Sequence, residues 1–360
     1  MSKRTYKQIT QYIGGVNMKY VRTLFLLGTT AINSSAFARD TLYFAGYSGG
    51  FQKMVQKEII PDFEAKNDVN IVYVAGNSSE LIAKLQAQKG NQEINIALVD
   101  DGPMHQAVQF GLCDKVADAA GYNDIYDVAK PSTFGGYAVG VGLVATGITY
   151  NKDVFAKNGW AAPTSWNDLT DPKFAQRVAS NPISGTFGLN SLVMFARMNR
   201  GGEKNIEPGF KAIRTKLAPN VLTWTSSNAQ LAQLFQNGDI DIAVWGSNRS
   251  VALKKTGFPV EFAYPKEGAP AIVAAACAIA GNKLPEKSQA FLQYLASPEV
   301  QAKLATEGFG PTNRKAKLDD TLAQEVPYGE EALSKLINVD WETINQNRAE
   351  WTKRWTRTVE

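Results

Sequence analysis

Thr41-Leu42-Tyr43-Phe44-Ala45-Gly46-Tyr47-Ser48-Gly49-Gly50-Phe51 holds a short β-rich run, a loop of small polar residues and the opening of a helix. Over residues 51–66 the apolar side chains Met54, Val55, Ile59 and Phe63 recur at helical spacing. The unit then repeats. Asn70-Ile71-Val72-Tyr73-Val74 reads as a strand, Asn77-Ser78-Ser79 as a loop with capping residues and residues 80–88 as a helix. Ile94-Asn95-Ile96-Ala97-Leu98-Val99 is a third strand, ending at Asp100-Asp101-Gly102. Such repetition predicts an α/β fold whose mixed, mainly parallel sheet carries helices on both faces.

Tyr137-Ala138-Val139-Gly140-Val141-Gly142-Leu143 is a glycine-interrupted β stretch able to carry the chain from one domain to another. A second series follows, with a helix over 151–158 and another opened by Ser165 as N-cap before Trp166-Asn167-Asp168-Leu169. Arg177-Val178-Ala179 and Asp241-Ile242-Ala243-Val244-Trp245 read as strands, and residues 187–199, 229–236 and 247–255 as helices. Val260-Glu261-Phe262-Ala263-Tyr264 and residues 271–279 are β-like again, and 288–295 is helical. The expected result is two lobes, residues 39–140 plus 258–310 and residues 145–255, joined by a two-strand hinge. Residues 311–360 form a C-terminal helical segment, with Trp341, Ile344, Trp351 and Trp355 near one face and packed on the lobes. A chain of 360 residues, 44% hydrophobic, can bury cores for about two such domains.

The N-terminus carries a different signal. Met18-Lys19-Tyr20-Val21-Arg22 precedes the apolar run Leu24-Phe25-Leu26-Leu27 and then Ser35-Ala36-Phe37-Ala38, the order of a secretory signal cut after Ala38. Residues before Met18 form an extension, because Met18 itself would begin an ordinary signal peptide. The apolar run is far shorter than the roughly 20 residues that span a bilayer. Residues 1–38 hold five basic side chains (Lys3, Arg4, Lys7, Lys19, Arg22) and no acid, so removing them from the chain's 38 leaves 33 basic against 34 acidic groups. The basic excess belongs to the targeting segment, and nucleic acid is excluded as a partner because too little positive charge remains to neutralise a phosphate backbone.

Cys113 and Cys277 are the only cysteines; in an oxidising compartment they either pair or remain two inert buried thiols. His105 is the only histidine, which disfavours zinc chemistry and leaves a Ser-His-acid triad one residue to draw on. No phosphate loop, nucleophile elbow or dinucleotide fingerprint occurs, so no cofactor and no metal are expected. What recurs is a polar loop before a helix: Ser48-Gly49-Gly50, Asn77-Ser78-Ser79, Ser184-Gly185-Thr186, Ser226-Ser227-Asn228 and Gly246-Ser247-Asn248. Strand-to-helix loops of open α/β sheets gather along one edge, here the cleft between lobes, and helix N-termini favour anions and hydroxyls. Tyr47, Tyr137, Trp224 and Trp245 lie beside these loops and either wall the pocket or pack in the core. Arg249 either pairs with a carboxylate or phosphate or forms a salt bridge on the lobe surface, and Asp100 and Asp101 either accept from an amine or hydroxyls or cap the following helix.

Leu42-Tyr43-Phe44, Trp166-Asn167-Asp168-Leu169, Asn237-Gly238-Asp239-Ile240-Asp241-Ile242-Ala243, Pro265-Lys266-Glu267-Gly268, Leu295-Ala296-Ser297-Pro298-Glu299-Val300-Gln301 and Gly310-Pro311-Thr312-Asn313, in that order, carry a resemblance. The chain resembles the periplasmic substrate-binding proteins of ABC importers in the polyamine and ferric-iron group. The resemblance implies a two-lobed type II binding-protein fold that closes on its ligand by hinge motion. It also implies a periplasmic monomer that docks on an inner-membrane permease and its ATPase. Polyamine binders of this group carry a carboxylate a few residues after Pro-Lys-Glu-Gly, and residues 269–276 contain none; ferric binders use adjacent tyrosines, and no Tyr-Tyr pair exists. The expected ligand is therefore a small organic anion or zwitterion, a phosphorylated or carboxylated metabolite, with Arg249, Ser184, Thr186 and Ser226 at its anionic end. A polyamine held by Asp100 and Asp101, with Trp245 and Tyr47 stacking, is the alternative, and a secreted enzyme using His105 or Asp101 a remote one.

Overall fold

The computed structural model describes residues 39–360; the signal sequence, its cleavage after Ala38 and the Met18 start lie outside the described residues. Among the described residues the strands are β1 (Asp40–Tyr47), β2 (Val69–Gly76), β3 (Ile96–Asp100), β4 (Val139–Asn151), β5 (Val178–Ser180), β6 (Val221–Trp224), β7 (Ile242–Gly246), β8 (Val260–Ala263), β9 (Ala269–Ala278) and β10 (Leu336–Ile337). Their order is β2-β1-β3-β9-β4-β7-β5-β6, with β8 beside β4 and β10 beside β9. β1 pairs in parallel with β2 and β3, and β5 in parallel with β6 and β7.

β4 holds the two halves together. Its residues 139–145 pair antiparallel with β9, while residues 146–151 pair antiparallel with β7 and β8. Strands feeding into helices on each side build one large core in each half, and a smaller cluster around Leu231, Phe235, Trp245 and Val260 lies on the other face of the second half's sheet. One large core gathers Leu42, Phe44, Val99, Val139, Phe291 and Leu304, the other Ile148, Trp166, Phe195, Phe210 and Ile242. The helix Thr186–Met198 is buried on every side from Gly188 to Ala196, which its run Leu-Asn-Ser-Leu-Val-Met-Phe-Ala reflects. Ser165 caps the 3-10 turn Trp166–Thr170 by accepting from the Asn167 amide, so the expected start is present but the helix is only one turn long. β6 was not expected from sequence; its residues Val-Leu-Thr-Trp follow Pro219-Asn220 too briefly to show a period.

Of the two states left open for the cysteines, the chain adopts the paired one, Cys113–Cys277 with Cα atoms 5.8 Å apart. The bridge fastens the end of β9 to a loop next to it and closes 164 residues of chain. A loop of that length restricts the unfolded chain substantially. Replacing both cysteines by alanine is expected to cost about 2–5 kcal/mol and to lower the denaturation midpoint of the oxidised protein. Urea unfolding of parent and variant checks this, and coincident curves would contradict it.

Candidate functional site

A cavity of about 500 Å³ opens where the strand ends of both halves meet. All five polar loops reach it, contributing Ser48, Asn77, Ser78, Ser79, Ser184, Gly185, Thr186, Ser226, Asn228 and Asn248. Tyr47, Asp100 and Arg249 line it as well. Each loop follows the carboxyl end of a strand, and the strands of the two halves run in opposite senses so that these ends face each other, which makes residues 200 positions apart in sequence neighbours.

Asp100 is the hub. Its Oδ1 accepts from the Tyr47 hydroxyl at 2.7 Å and its Oδ2 from the Thr186 hydroxyl at 2.8 Å, the second bond crossing the cleft. The Asp100 amide donates to Ser78 Oγ at 3.1 Å. Burial, reinforced by Asp100, holds the Tyr47 hydroxyl well above its ordinary pKa, so it stays a neutral donor. Arg249 is pulled downward by burial, opposed chiefly by Asp100 and then by Tyr47 and Glu307. It remains a cation, since a guanidinium does not lose its proton in proteins. Among the described residues no ion pair forms on Arg249, and its Nε is buried without a hydrogen-bond partner.

The helices opening on the cavity differ in how their first amides are met. Asn77 and Glu80 form a reciprocal capping box on Ser78–Ala87, and the Ser227 side chain accepts from the Gln230 amide on Asn228–Asn237. Thr186–Met198 and Ser247–Lys254 begin at Gly185 and Gly246 with no side-chain cap. Both are in the half of the molecule that carries Arg249. Uncapped amides and a guanidinium on one wall are suited to an anionic group.

Five sequence-predicted residues do not line the cavity. Asp101 turns away, and its Oδ2 accepts from the Trp341 indole at 2.8 Å. Trp245 is buried behind β7, stacked on Phe235, and its Nε1 donates to Asn228 Oδ1 at 2.8 Å; it positions a lining residue instead of being one. Trp224 packs edge-on to Trp355 with centroids 4.9 Å apart, and Tyr137 packs against the first core. Gly49 serves the turn through its φ of 82°. His105 lies outside the cavity as well, its ring 5.1 Å from Phe134. The sequence reading missed Asn181, Phe187, Phe309 and, above all, Arg348. Arg348 sits on the last helix, donates to the Ser184 carbonyl at 3.0 Å and feels Asp100 as its main charged neighbour.

The divergence of the two adjacent aspartates has a pH consequence. Burial pushes Asp101 up to about 7, with the Trp341 bond opposing and Asp100 adding to the rise. Between the ordinary carboxylate pKa near 4 and about 7 the folded chain therefore holds a proton that the unfolded chain has released. This group's contribution to stability is full below about pH 4 and is lost as pH rises through about 7. Asp101→Asn, which keeps an oxygen for Trp341, is expected to show a Tm that falls less than the parent's across that range. Calorimetry at several pH values reads the difference, and parallel Tm curves would contradict it.

The fold has counterparts among known proteins. The spermidine/putrescine-binding periplasmic protein of Salmonella typhimurium is 25% identical over 345 residues, 92% of this chain and 93% of that one. An ABC transporter structure from Clostridium perfringens superposes with a TM-score of 0.74 at 24% identity, covering 89% of this chain and 100% of that one. The periplasmic binding protein AfuA from Actinobacillus pleuropneumoniae, with fructose-6-phosphate bound, superposes with a TM-score of 0.73 at 21% identity over 89% of this chain and 99% of that one. These structures show the two-lobed fold. Residues 58–328 match the family model of the bacterial extracellular solute-binding proteins, and the chain belongs to that family.

Proposed function

We propose that this chain is the periplasmic binding component of an ABC import system and that its solute is a small organic anion or zwitterion bearing a phosphate or carboxylate. The observation that carries the ligand class is the charge arrangement of the cavity. Two guanidiniums, Arg249 and Arg348, line it against Asp100, both of whose oxygens already accept hydrogen bonds from Tyr47 and Thr186. The other lining acid, Glu80, is exposed and occupied in a helix cap. An anion gains two charge-assisted partners there, whereas a polyamine meets two half-buried cations, which costs more than a partly used carboxylate returns. Asp101, on which an amine would also rely, points elsewhere.

Among the described residues no helix is long and apolar enough to cross a membrane. The proposed partners are an inner-membrane permease and its ATPase, to which the chain delivers its solute as a monomer. Binding without turnover suits a cavity that His105 does not reach. AfuA holds a sugar phosphate and the Salmonella relative is named for polyamines, so relatives of this fold span both charge classes.

Thermal shift against phosphorylated and carboxylated metabolites, with spermidine and putrescine alongside, separates the two, because a ligand of the native state raises Tm. Stabilisation by an anion, weakened about thirtyfold or more in Arg249→Gln, is expected, as loss of a buried charge partner costs about 2–5 kcal/mol. Stabilisation by a polyamine while every anion fails would overturn the ligand class.

A further inference from the structure

The last helix, Trp341–Thr358, is fastened to the second core along most of its length. Trp341, Ile344, Trp351 and Trp355 are buried there, Trp355 edge-on to Trp224, and Arg354 pairs with Glu207. Its N-terminal end is tied to the same half, since the Asp340 amide donates to Glu203 Oε1 at 2.9 Å.

Yet the same first turns reach across to the other half. The Trp341 indole donates to Asp101, the Asn345 amide group donates to the Gly102 carbonyl at 3.1 Å, and Gln106 donates to Asn345 Oδ1 at 3.3 Å. All three partners belong to the helix Asp101–Gln109, which follows β3. The fit is close: a Cβ on Gly102 would stand 2.5 Å from the Trp341 ring, so only glycine admits the indole. Arg348, one turn further on from Asn345, enters the binding cavity and meets the Ser184 carbonyl. One rigid helix therefore carries a dock on the far half and a cation in the site.

We propose that the C-terminal helix is a cross-brace between the two halves that supplies Arg348 to the site, so that an anion in the cleft and the seating of the Trp341 dock stabilise each other. The coupling rests on the anionic-ligand reading, while the brace stands without it. Arg348 acts as a ligand-contacting residue, and Trp341, Asn345 and Gly102 position the helix that bears it. When the halves part, the indole must leave Asp101 and Gly102, and a ligand held by Arg348 opposes that separation.

Two measurements decide this. Small-angle scattering of the ligand-free full chain is expected to give a larger radius of gyration for Trp341→Phe, which removes the indole donor, and for Gly102→Ala, which wedges the ring away. A parent-like radius in both overturns the brace. Hydrogen exchange with inorganic phosphate as probe is expected to slow at residues 341–352 together with the loops at 184–187 and 246–249. In Arg348→Gln, whose unfolding midpoint should match the parent, protection of the helix is lost while that of the loops persists in weakened form. Protection of the loops without the helix in the parent overturns the coupling and leaves the anionic reading standing. Protection nowhere overturns both, with the brace still judged by scattering alone.

Discussion

A single strand shared by two sheets is the constraint from which the rest follows. β4 spans 13 residues, almost all buried, and changes partners midway from β9 to β7 and β8. Because a strand is continuous and its hydrogen bonds are obligatory, the two halves cannot separate without bending β4 near residues 145–146. The carboxyl ends of β1, β3 and β7, with their loops, converge next to this crossing. The pivot and the cavity are thus set by one element.

Within that frame the chemistry is a matter of which donors are spent. Tyr47 and Thr186 donate to Asp100, and Asn77 caps its own helix, so these groups enter the cavity partly used. Arg249 and the two uncapped helix starts at Gly185 and Gly246 are not used. A desolvated guanidinium that lacks a partner is costly to keep, and such a cost persists where a ligand offsets it.

Much of this was legible in the residues. The polar loops could be found because small hydroxyl and amide side chains before a helix are a local signal, and the α/β pattern says where such loops end up. Facing directions were not legible. β7 is covered on both sides and every residue is buried, so it lacks the alternation that would have shown Trp245 turning away from the cavity. Asp100 and Asp101 look equivalent as neighbours in sequence, yet the first ends a strand and the second starts a helix, which sends their carboxylates in opposite directions. Arg348 was hidden by its setting: its helix announces itself through four large apolar residues, and nothing local says that the arginine lying within their stripe meets a loop more than 160 positions earlier.

The disulfide gives the architecture a property that hydrogen bonds cannot. Cys113 precedes β4 and Cys277 lies at the end of β9, so the covalent ring they close encloses β5, β6, β7 and β8 whole. Apart from the C-terminal helix, the second half of the molecule is an excursion that leaves the first half and returns to a locked gate. A protease cut in any of its surface loops yields a nicked molecule whose pieces stay covalently joined through the Cys113–Cys277 bridge. That topology turns a chain break there into a local defect.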